Sequence, residues 1–201
     1  MYGGLDRQSD PILKGADDAL IEGTTKAFGS RAAASKRFTD EGFRFYFRDD
    51  LSTAMRRFNQ GWLLDAKNPD VFYGFMAVMN DMEKYCDART FGEQAFALGL
   101  EKSPETLADA GRSSALCAMH DSTLSDDTKA AYIKRSSEYF TDALALKPNS
   151  PYVYTMWATA SYAMGNYPTA WHYVGLARKN GGKIGKRFLK MLTEKMPEPR
   201  Q

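Results

Sequence analysis

The chain holds two histidines, His120 and His172, and neither sits in an HExxH or comparable metal-ligand spacing. His120 falls in a polar stretch that reads as a loop, where a surface role is expected, and His172 lies on a helix two residues after Ala170, where a hydrogen-bonded surface or groove residue is expected. The run Gly181-Gly182-Lys183-Ile184-Gly185-Lys186 approaches a phosphate loop. That pattern needs glycine at 180 and serine or threonine at 187, where Asn180 and Arg187 stand, and no strand pattern precedes it. The acid pairs Asp49-Asp50 and Asp126-Asp127 fall at turns and helix starts, where carboxylates favour the helix dipole without any paired acid–base work. Ten methionines sit mostly at core spacing within helices. Cys86 and Cys117 are too few and too far apart for a zinc site, and two buried free thiols are the plain reading. No set of residues converges on catalysis, so the expectation is a protein that is not an enzyme and carries no cofactor or metal.

The elements that would position any site are helical. The 201 residues include 25 alanines but only four valines and four isoleucines, and alanine, leucine and methionine favour helix where β-branched residues favour strand. Apolar residues make up 43% and charged residues 26%, the profile of a globular domain large enough to bury a core. A net charge of +2 gives no support for nucleic acid as a partner. The charge is uneven: from Trp171 onward eight Lys/Arg face Glu194 and Glu198, which reads first as a solvated terminal helix and second as a tail that touches phosphate or an acidic partner. No run approaches the ~18 apolar residues of a membrane span. The opening Met1-Tyr-Gly-Gly-Leu-Asp has neither the basic nor the apolar region of a signal peptide, which leaves a cytosolic protein or one whose signal was removed.

Internal repetition organises the rest. Phe38, Gly42 and Phe45 give a bulky residue, a small one four later and an aromatic three later, one packed helical face. Arg48-Asp49-Asp50 is a turn, and Ala54, Phe58 and Gly61 mark a second helix at i, i+4, i+7. Tyr154, Trp157, Ala158 and Tyr162, the turn Gly165-Asn166, and Tyr167, Ala170, Val174 and Ala177 repeat the pattern. Ala54 to Ala88 is 34 residues and Ser136 to Ala170 is again 34, while Ala88 to Ser136 is 48, with the excess around His120–Asp127. Helices are expected near 30–48, 51–66, 69–82, 85–101, 104–119, 126–147, 151–164, 167–179 and 184–196. Residues 1–24 read as a lead-in or tether, 25–182 as the repeat domain with an insertion near 120–127, and 183–201 as a basic capping helix and tail.

From about Ser35 to Lys179 these positions resemble the tetratricopeptide repeat family. The segments Ser30–Ser35 and Asp50–Asp65 are similar to those of bacterial repeat proteins, some of them exported lipoproteins. Lys147-Pro148-Asn149 matches the family's helix break, whereas Ala66 stands where a proline is usual and Gly92 where a bulky residue is usual. The resemblance implies an all-α fold of antiparallel helix pairs stacked as a short superhelix, closed by a C-terminal capping helix. It implies a concave groove lined by the first helix of each pair. Carried over, the groove positions are Lys36, Thr39, Phe43, Tyr46 and Phe47, then Tyr73 and Asn80, then Arg112, then Tyr152, Thr155 and Tyr162. Such a groove would bind a protein or peptide partner, as a scaffold or assembly factor or else as an inhibitor of the immunity-protein kind. Alternatively Phe43, Tyr46 and Phe47 pack against the N-terminal segment. The expected helix pairing also puts Cys86 and Cys117 at the same end of neighbouring antiparallel helices, so a disulfide is the second reading of the cysteines. It would imply an oxidising compartment, which the resemblance to exported bacterial proteins puts in the periplasm or at the outer membrane, with any lipid anchor lost along with a removed signal; free thiols would fit the cytoplasm. The oligomeric state is open.

Overall fold

The computed structural model of the chain describes residues 6–199. In order, its helices are α1 (Pro11–Phe28), α2 (Arg31–Tyr46), α3 (Leu51–Leu64), α4 (Pro69–Asp81), α5 (Tyr85–Ala97), α6 (Pro104–His120), α7 (Asp126–Leu146), α8 (Pro151–Ala163), α9 (Tyr167–Lys179) and α10 (Lys186–Lys195). No strand occurs among the described residues. Polar side chains set the boundaries. Asp10, Ser30, Asp50, Asn68, Ser103, Ser125, Ser150 and Asn166 each accept a backbone N–H from the first turn that follows. Proline in the first turn starts α1, α4, α6, α8 and α9, where its missing N–H costs nothing.

The turn inside a helix pair recurs with the same geometry. Asp49 (φ 62°) and Gly165 (φ 72°) take the left-handed conformation. Asp50 N–H then reaches back to Phe45 O at 3.1 Å and Asn166 N–H to Ser161 O at 2.9 Å, closing α2 and α8. The side chains of those same two residues cap α3 and α9, so one residue ends a helix and opens the next. Gly181 (φ 82°) closes α9 in the same way, with Gly182 N–H on Ala177 O at 2.8 Å. The glycines that resemble a phosphate loop therefore serve as a helix cap.

Two compact units divide the described chain: residues 6–82 with 90–100, and 83–89 with 101–199. In the first, Phe58 is fully buried and its ring is flanked by Gly42 of α2 and Gly74 of α4. Val71, Phe72, Phe75, Val78, Ala95 and Leu100 complete that core. Polar pins fix the register of α2 on α3. Ser35 Oγ donates to Gly61 O at 2.8 Å, and the Arg31 guanidinium caps the end of α3 through Leu63 O and Leu64 O, each at 2.9 Å.

The N-terminal segment, expected as a lead-in or tether, holds a helix. The Asp10-Pro11 start and the left-handed Gly29 stop enclose an 18-residue helix, so helical structure begins well before residue 25; residues 1–5 lie outside the described part. Its packing is light. Asp17 is the only buried residue of α1, and Arg7 holds its carboxylate through two parallel contacts, Nε–Oδ2 at 2.9 Å and Nη2–Oδ1 at 2.6 Å.

The second unit pairs α6 with α7 and α8 with α9. Phe140 lies against Gly111 and begins a stack of parallel rings: Phe140–Trp157 at 5.0 Å, Trp157–Tyr173 at 4.4 Å and Tyr173–Tyr154 at 6.2 Å. Helix α10 caps it, burying Leu192 completely, with Ile184, Phe188 and Leu189 packed alongside. The long spacing before Ser136 comes from the 17-residue α6, the 21-residue α7 and the link between them. The equivalent positions Ala54, Phe58 and Gly61, then Ser136, Phe140 and Ala143, then Ala170, Val174 and Ala177, are all buried. No helix among the described residues is long and apolar enough to cross a membrane.

Candidate functional site

Along α2, Lys36, Asp40, Phe43 and Phe47 are spaced by four, three and four residues, so they share one face. The aromatic end of that face is a cluster. The Phe43 ring lies 5.0 Å from buried Phe58, 5.8 Å from Tyr73 of α4 and 6.4 Å from Phe47. Tyr46 meets Phe47 edge-on at 5.5 Å. Phe43, Tyr46 and Tyr73 are half-buried and rigidly backed by the core, while Phe47 is 80% exposed. Exposure of that size excludes packing of Phe47 beneath the described N-terminal segment. At the charged end Lys36 Nζ contacts Asp40 Oδ2 at 2.7 Å. That hydrogen bond, the Asp40 charge and then the Asp70 charge hold the lysine pKa above its ordinary value.

Thr39 and Asn80 do not belong to this surface. Thr39 is buried because its hydroxyl donates to Ser35 O at 2.8 Å on its own helix and accepts from Asn68 Nδ2, which satisfies it inside the core. Asn80 is only 7% exposed, turned inward near the end of α4.

In the second unit Tyr152 is exposed and its hydroxyl donates to Asp109 Oδ1 at 2.5 Å, with half-buried Arg112 one turn beyond Asp109 on α6. The Thr155 hydroxyl is turned onto Pro151 O at 2.7 Å. Tyr162 is half-buried, with Tyr167 and Phe188 each at 5.7 Å in the seam with the capping helix. Asp109 escaped the sequence reading, although its place three residues before Arg112 on one helix face was a usable signal.

Cys86 and Cys117 form a disulfide with a Cα–Cα separation of 4.6 Å, and no described cysteine is free. The rings of Tyr85 and His120, which flank the two cysteines in sequence, lie 4.9 Å from each other. His172 is exposed and rests edge-on against Tyr173 at 5.3 Å. No cluster of three or more metal-ligating side chains occurs among the described residues. No family model and no curated protein matches the chain.

Proposed function

We propose that this chain is a non-catalytic helical-repeat scaffold of the tetratricopeptide type, which binds a peptide or partner helix through the aromatic ledge of its first unit. The observation that carries the proposal is Phe47, a phenylalanine 80% exposed beside three half-buried rings. Burying such a side chain is worth about 1.5–3 kcal/mol, and rigid aromatic rings are the commonest anchors of protein interfaces. The 34-residue spacing and the equal burial of equivalent positions support the repeat assignment. The disulfide supports an exported protein, since such bonds persist in oxidising compartments.

The test uses Phe47→Ala, which removes the exposed ring without touching the core. A partner captured by the native protein, then purified, should bind the variant at least tenfold more weakly, a loss of about 1.4 kcal/mol or more. Equal affinities would remove the ledge from the interface.

A further inference from the structure

A cleft of about 610 Å³ runs along α9 from Pro168 to Lys179. Its volume lies within the range of specific ligand sites. Pro168, Trp171 and Leu176 give it an apolar floor, Arg178 and Lys179 a cationic rim, and the returning segment around Glu198 its far wall. Two contacts hold that wall: Trp171 Nε1–H donates to Met196 O at 3.0 Å, and Arg178 Nη1 meets Glu198 Oε1 at 2.5 Å.

Of the two cations on the rim, Arg178 is paired with Glu198 and Lys179 has no ion-pair partner among the described residues, while the chain around them is one-sided in charge. Residues 178–199 contain seven Lys/Arg and two glutamates. Both glutamates are engaged, Glu198 by Arg178 and Glu194 by Lys190. Lys179, Lys183, Lys186, Arg187 and Lys195 have no ion-pair partner among the described residues. An apolar floor beneath surplus positive charge is complementary to a chain that carries carboxylates beside an apolar side chain. The protein itself shows the contact, since a carboxylate on an extended segment already sits on Arg178.

We propose that the α9 cleft is a second binding site, for an acidic peptide segment with an apolar anchor, and that Glu198 occupies part of it as a displaceable internal competitor. The anchor lies over Pro168 and Leu176, one carboxylate meets Lys179, and another displaces Glu198 from Arg178. An anionic membrane fits less well, because a lipid surface reads flat or convex basic faces, and here the segment around Glu198 rises over one side of the apolar floor. Nucleic acid fits less well too, since Trp171 is only 5% exposed and leaves the single exposed His172 ring on the cleft for base stacking.

Fluorescence anisotropy at low salt, with a fluorescein-labelled Glu-Glu-Leu-Phe-Glu-Glu probe and the full chain, tests this. The probe should bind; Lys179→Glu should weaken binding at least tenfold, and Glu198→Ala should strengthen it about three- to tenfold by removing the competitor. Lys134→Glu, an exposed reversal on α7, controls for overall charge and should change binding less than twofold. All three positions are exposed, and circular dichroism confirms that each variant is folded. The proposal is overturned if the probe binds neither the native protein nor Glu198→Ala, if Lys179→Glu acts no more strongly than Lys134→Glu, or if Glu198→Ala leaves affinity unchanged. It is equally overturned if phosphatidylglycerol vesicles sediment with the protein while the probe does not bind.

Discussion

Phe58 shows how one side chain dictates the identity of its neighbours. Its ring fills the space that Cβ atoms would need on two adjacent helices. A Cβ on Gly42 would stand 2.5 Å from it, and one on Gly74 closer still. Glycine inside a helix costs about 1 kcal/mol against alanine, so these two are tolerated only because the ring packs in their place. Gly175 of α9 is the contrasting case, with nothing within 4 Å of the position its Cβ would take. Gly42→Ala and Gly74→Ala should therefore destabilise by about 1–3 kcal/mol through overpacking, and Gly175→Ala should stabilise by about 0.5–1 kcal/mol. Urea unfolding of the three variants reads the difference, and the same sign at all three would mean that Phe58 is not seated between α2 and α4.

At the scale of elements, the sequence carried the helices well because their ends are chemical: a Ser, Asp or Asn cap, a first-turn proline, a left-handed closing residue. The first-to-second-helix turns at Asp49-Asp50 and Gly165-Asn166 are legible for the same reason. Side chains near the border between groove and core are less so. Thr39 and Phe43 lie four residues apart on neighbouring turns, yet Thr39 is buried because a carbonyl four residues back satisfies its hydroxyl, a choice that composition does not reveal. Helix α1 carries the same end signals, Asp10-Pro11 and Gly29, but its hold is not legible because it depends on a pairing ten residues apart, between Arg7 and Asp17. Their side chains are 20% and 5% exposed, which places this pair between the weak surface class and the buried one. Asp17→Asn should cost α1 about 1–2 kcal/mol of local stability. Hydrogen exchange should then speed up roughly tenfold in the amides of α1 and hardly at all in α3, where Phe58 is anchored. Uniform acceleration across the first unit would show that Asp17 supports the core and not α1 alone.

For the whole molecule, the alanine-rich, β-branched-poor composition and the helical spacing of apolar residues made the all-helical architecture readable in the sequence, whereas the α9 cleft was not, since it depends on the chain beyond α10 folding back to Arg178. The cysteines lie between these cases. Their spacing admitted free thiols or a bridge, and only the pairing of the start of α5 with the end of α6, both within the second unit, decides between them. The bridge spans 31 residues, and Cys117 is 1% exposed, so reductants reach the pair mainly through half-buried Cys86. Closing a loop of that length removes unfolded-state entropy worth about 3–4 kcal/mol in the chain-entropy treatment. Dithiothreitol should accordingly lower the urea midpoint of the tryptophan fluorescence transition by an amount equivalent to that figure. Cys86→Ser/Cys117→Ser should reproduce the loss and respond no further to the reductant. Protein taken from its native compartment, unfolded without reductant and titrated for thiols, should show none. Two free thiols there would place the chain in a reducing compartment and withdraw the support that the disulfide lends to export.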